Sequence, residues 1–135
     1  MVEIRESAVT SHVRLAAAQL NVTLWRNNCG GFYDEQGRFV RYGLGSEAKL
    51  ASSDWIGIRP TLITPEMVGS VLGVFTAVEM KAEGWRFNKN DKHLLQQKKF
   101  IDIVNSYGGM AGFAKSTEDF YKIIRYNGDI KNGDY

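Results

Sequence analysis

A β-rich apolar run from Val71 to Lys81 is followed by a polar connection, an amphipathic helical stretch and a short apolar segment, Met110 to Ala114. Strand, helix and strand in that order join parallel neighbours through a right-handed crossover. The passage commits the chain to an α/β arrangement. Asn90 or Asp91 caps the helix over Lys92 to Tyr107, and Leu94, Leu95, Phe100, Ile101, Ile103 and Val104 form its buried stripe. Gly108-Gly109 ends it.

The flanking sequence is read by the same periodicities. Glu6 to Asn21 is an amphipathic helix with Val9, Val13, Ala16, Ala17 and Leu20 near helical spacing. Val22 to Arg26 carries β-formers, and Phe32 to Tyr42 is a hairpin turning at Asp34-Glu35-Gln36-Gly37. Gly43 to Ser53 is a polar loop delivering Asp54, and Asp54 to Ile58 is a strand stopped by Arg59-Pro60. Thr64-Pro65-Glu66 begins a brief helical turn, with Thr64 placed to cap it. Ser116 caps a last helix reaching about Tyr126, and the polar tail from Asn127 frays. The order is helix, three or four strands, helix, strand, helix, without repeat or linker, and it predicts a single mixed α/β domain over residues 1–135.

Composition bounds the function. A 44% hydrophobic and 12% aromatic chain of 135 residues supports one core and excludes disorder. No apolar run approaches the roughly 20 residues of a membrane span, and one cysteine, Cys29, permits no internal disulfide and no cysteine-based zinc site. A soluble intracellular protein is expected. The net charge of +2 permits nucleic-acid binding without arguing for it.

Chemistry concentrates at Val78-Glu79-Met80-Lys81. Side chains alternate along a strand, so Glu79 and Lys81 share a face. Charged groups closing an apolar strand need a partner or a task. A carboxylate there, with Asp54 on a neighbouring strand, suits a hard divalent cation, and a backbone carbonyl between Glu79 and Lys81 adds a donor. Lys81 is then placed to orient or deprotonate a water, or to neutralise charge on phosphate. Spacing alone is weak, since Glu-x-Lys also occurs as an exposed ion pair.

The chain resembles the VRR-NUC domain, the virus-type replication–repair branch of the PD-(D/E)xK nucleases. Five pieces carry the likeness, in the family's order: Glu6 opening the first helix, Ser53-Asp54-Trp55-Ile56-Gly57-Ile58, Val78-Glu79-Met80-Lys81-Ala82-Glu83-Gly84, Leu94 to Phe100 with its glutamines, and Gly108 to Ala114 followed by Ser116 to Asp119. Ser53 stands where the family has proline, and Arg59 to Gly73 is longer than in the simplest members, suiting a lid, a dimer contact or a DNA-contacting loop.

The resemblance implies a restriction-endonuclease-like core, a mixed central sheet flanked by helices in the order α-β-β-β-α-β-α. It implies a Mg²⁺- or Mn²⁺-dependent endonuclease with Asp54, Glu79 and the Met80 carbonyl as metal ligands and Lys81 as a catalytic residue. Glu6 would be a further ligand, directly or through water. Gln97, favoured over Gln96, would contact Lys81, the water or the phosphate. Stand-alone members resemble phage-encoded dimers acting on branched or junction DNA, which would place a phage-encoded protein in the host cytoplasm.

Arg26, Lys49, Arg59 and Arg86 are candidate phosphate contacts. Trp85-Arg86, just past the reactive strand, would face a substrate; Trp25 and Trp55 read as core or edge aromatics. His12, His93 and Cys29 read as ordinary packed or exposed residues. Two other classes stay open: a non-catalytic DNA-binding or assembly module of the same fold, and an RNA or nucleotide hydrolase.

Overall fold

The computed structural model describes residues 5–44 and 53–125. Packing divides the chain, expected as one domain, into two units, one ending at Arg59 and one starting at Pro60. Lys49 and the tail from Asn127 lie outside the described residues.

In the first unit, helix α1 spans Glu6–Gln19. It stops two residues before the expected end because Asn21 turns left-handed at φ 57, which asparagine tolerates. The Asn21 N–H then bonds the Ala18 carbonyl at 3.3 Å and the Val22 N–H bonds that of Ala17 at 2.8 Å, closing the helix as a Schellman motif. Of the expected apolar stripe only Ala17 is buried; Val9, Val13 and Leu20 are exposed.

Strand β1 (Thr23–Arg26) pairs antiparallel with β4 (Trp55–Ile58), setting Trp25 opposite Ile56 and Arg26 opposite Trp55. Gly57 is required by close approach, since a Cβ there would run into the Thr23 carbonyl oxygen. Between them β2 (Gly30–Tyr33) and β3 (Phe39–Tyr42) form the expected hairpin. Asp34 organises its turn, accepting from the N–H groups of Gln36 at 3.0 Å and Arg38 at 2.8 Å. Its second carboxylate oxygen takes the Arg38 guanidinium at 2.8 Å, and Gly37 supplies a φ of +75.

The second unit holds a 3-10 turn at Pro65–Met67, strand β5 (Thr76–Met80), helix α2 (Lys92–Ser106), strand β6 (Met110–Ala114) and helix α3 (Thr117–Ile123). Strands β5 and β6 are parallel, Thr76 beside Met110 and Met80 beside Ala114, with α2 as the crossover. Asp91 caps α2 through its carboxylate, accepting from His93 at 2.9 Å and Leu94 at 3.1 Å. Ser116 caps α3 by accepting from Asp119.

Three expectations differ here. Strand β5 starts at Thr76 instead of Val71, because β6 supplies only five residues of ladder and follows directly on the glycine end of α2. Thr64 makes no side-chain cap; its hydroxyl bonds the Glu66 carboxylate instead. The α2 stripe narrows to Leu94, Ile101 and Val104, with Leu95 and Phe100 exposed. With Ala111 and Ala114 these three are the buried apolar residues of this unit among those described, and Val104 is 0% exposed.

The protein is therefore a mixed α/β chain. Among the described residues its six strands hydrogen-bond as three pairs, two antiparallel and one parallel. Among the described residues five strands precede α2, where the sequence reading expects three or four and the resemblance three. No helix among the described residues is long and apolar enough to cross a membrane.

Candidate functional site

The parallel ladder decides which side chains meet at the end of β5. Glu79 lies in register with Phe113 of β6, and the Lys81 N–H donates to the Ala114 carbonyl at 2.8 Å, carrying the ladder one residue past Met80. Alternation then sets Glu79, Lys81 and Phe113 on one face. The Met80 side chain leaves on the other face and is 71% exposed.

Helix α2 brings the next group. Gln97 lies three residues after Leu94 and four before Ile101, so it shares the stripe of the buried residues. A polar side chain in that stripe needs a partner. It has one: the Lys81 ammonium donates to the Gln97 amide oxygen at 3.0 Å. A Glu79 carboxylate oxygen stands 3.4 Å from the same ammonium. The Lys81 side chain is 16% exposed and that of Glu79 39%, so the cation is sheltered while the carboxylate keeps an open side.

That open side borders a groove of about 460 Å³ between β5 and α2, lined by Ala77, Val78, Glu79, Gln96, Gln97, Phe100 and Ile101. Both glutamines reach its wall, and Gln97 is the one bonded to Lys81.

Aromatic rings close the other side of the ammonium. The Trp85 N–H bonds the Ala82 carbonyl at 2.9 Å, and this tight turn folds the indole back to 5.6 Å from the Lys81 nitrogen. The Phe113 ring lies at 5.7 Å. Sequence reasoning gave Trp85 to the substrate and left Phe113 aside. Alternation along β6, which sets Phe113 on the Glu79 face, was the available signal.

In the first unit, Asp54 precedes β4, is exposed, and lines a small polar cleft of about 130 Å³ with Arg26, Asn27, Asn28, Cys29 and Ser53. Asn27 holds this edge: its N–H bonds the Asp54 carbonyl and its amide bonds that of Ser53, each at 2.8 Å. The guanidinium groups of Arg14 and Arg26 lie 5.4 and 5.8 Å from the Trp55 ring centre. Glu6 is the exposed first residue of α1, and Arg59 ends this unit. Arg86 is exposed between Trp85 and Phe87 in the second.

No protein-family model, curated protein or solved structure matches the chain. What the site can do therefore rests on its own chemistry.

Among the described residues no group of three His, Cys, Asp or Glu side chains is drawn together. Of the expected metal ligands, the Glu79 carboxylate and the Met80 carbonyl belong to the second unit, and both are hard oxygen donors. They suit a small divalent cation that keeps several waters and takes only one or two carboxylates.

Proposed function

We propose that the chain is a metal-dependent DNA endonuclease of the VRR-NUC kind, with a restriction-endonuclease-like core. One observation carries this reading. The Lys81 ammonium is held between the Gln97 amide oxygen at 3.0 Å and the Glu79 carboxylate at 3.4 Å, and both of these partners line an open groove. An idle surface ion pair has no need of a third polar group drawn from a buried helix stripe.

Mg²⁺ or Mn²⁺ would be held in the second unit by Glu79 and the Met80 carbonyl. Bound, the ion supplies Lewis acidity at the phosphate and a more acidic water. The chain's own residues do the rest. Lys81 presents a fixed positive charge where negative charge develops on the phosphate. Gln97 fixes the direction of that charge by accepting a hydrogen bond from one of its three N–H groups. Glu79 aligns the ammonium from the other side while its open oxygen faces the groove. Arg26 and Arg86 supply phosphate contacts that carry no sequence information, which fits a substrate chosen by shape, such as branched or junction DNA. One site per chain cuts one strand, so paired cuts need a homodimer.

The test is cleavage of labelled linear, flapped and four-way-junction DNA with Mg²⁺, Mn²⁺ or EDTA, comparing wild type with Glu79→Ala. Metal-dependent nicking that the variant loses is the expected result. Well-folded wild type that cuts none of these substrates would overturn the nuclease reading in favour of a DNA-binding module.

A further inference from the structure

The geometry points to Trp85 and Phe113 as positioning residues that hold the Lys81 ammonium against Gln97, a role that rests on the nuclease reading above. A lysine nitrogen ends a flexible four-carbon stem, and a single neutral acceptor does not confine it. Glu79 at 3.4 Å adds attraction with little direction. The rings supply the missing walls. At 5.6 and 5.7 Å both centroids lie within the roughly 6 Å over which a ring face attracts a cation. The ammonium thus meets a carboxylate, an amide oxygen and two ring faces.

The seat is itself braced. The Trp85 and Phe113 centroids are 4.9 Å apart with planes 36° from parallel. Phe87 stands edge-on to Trp85 at 6.3 Å and lies 6.0 Å from Phe113. The Lys115 ammonium reaches the Trp85 carbonyl at 3.4 Å, tying the loop to the residue just after β6. Phe113 is fixed by strand register and Trp85 by the turn at Ala82. Neither ring lines the groove, so each acts through Lys81.

The experiment compares Phe113→Leu with Phe113→Tyr, and Trp85→Leu with Trp85→Phe. The first of each pair keeps an apolar side chain and removes the ring; the second keeps a ring. Carbon–proton NMR of the lysine ε-methylenes reads the seat without any reaction. In wild type the Lys81 signal, identified by its loss in Lys81→Arg, is expected upfield of the other lysines through ring currents. It should return to their position in the leucine variants and stay in the ring-keeping ones.

Single-turnover cleavage reads the consequence. The leucine variants should lose about 10²-fold in rate, the cost of misplacing a reacting group by an ångström, with KM for DNA unchanged, and the ring-keeping variants should recover most of the rate. An ordinary Lys81 chemical shift in wild type overturns the seat. Leucine variants that keep the wild-type rate overturn its role. A wild type that cuts nothing, with the NMR pattern intact, removes the reaction and leaves the seat standing. If Phe113→Leu fails to fold, the Trp85 pair decides.

Discussion

At the scale of single residues, Asn105 shows how one amide can close a strand edge. Its nitrogen donates to the Ala111 carbonyl at 3.0 Å and its oxygen accepts from the Ala111 N–H at 2.9 Å, so both backbone groups of Ala111, which face away from β5, are satisfied. Replacing it by alanine strands two half-buried polar groups, at a cost of about 1–3 kcal/mol each where water does not enter. Asn105→Ala should therefore lower the urea midpoint, and an unchanged midpoint would show that water replaces the amide. Lys81 answers at the same scale for function. If it is the fixed cation of the reaction, Lys81→Ala should lose about 10²–10³-fold in cleavage rate while far-UV circular dichroism stays unchanged. Of these residues, Lys81 could be picked from the sequence because charge ending an apolar run is rare. Asn105 could not, because its partner is a backbone six residues away whose direction depends on strand pairing.

At the scale of elements, short-range chemistry sets the ends and the middle is left to packing. Asp91 satisfies two orphan donors of α2, so Asp91→Ala should cost about 1 kcal/mol, read as a lower melting temperature. The hairpin gives a pH prediction. The Arg38 backbone N–H, helped by the Arg38 guanidinium and the Gln36 N–H, holds the Asp34 carboxyl below its ordinary value against an opposing push from desolvation. A carboxyl lowered by folding contributes stability that is present above its unfolded value of about 3.9 and is lost as pH falls through the lower folded one. Amide signals of Phe32 to Tyr42 should therefore lose dispersion on acidification below about pH 4. In Asp34→Asn that dependence should vanish; an identical acid profile in both proteins would assign the loss to another group. The caps at Asp91 and Ser116 and the hairpin turn were legible because each is decided within four residues. The start of β5 was not. Val71 to Phe75 has every β-former a strand asks for, yet a strand exists only where a partner strand lies alongside, and β6 is five residues long.

At the scale of the molecule, the nuclease reading makes a prediction about salt. Arg26 shares its cleft with Asp54, and a phosphate contact there would release counterions on binding. Arg26→Gln should weaken binding to all DNA sequences alike in EDTA and flatten the dependence of log affinity on log salt by about 0.9. Fluorescence anisotropy at several salt concentrations reads it, and an unchanged slope would remove Arg26 from the interface. By itself the sequence determined the α/β class, the crossover from β5 through α2 to β6, the caps, and a Glu-x-Lys pair on one strand face. Periodicity and capping are local, and alternation follows from strand geometry alone. The resemblance already favoured Gln97 over Gln96; only the tertiary structure decided that its partner is Lys81, that Phe113 and Trp85 stand over the ammonium, and that the strands pair two by two among the described residues. Those outcomes depend on how far one helix turns over one strand and on which backbone edges find partners, and neither quantity is written in any single window of the chain.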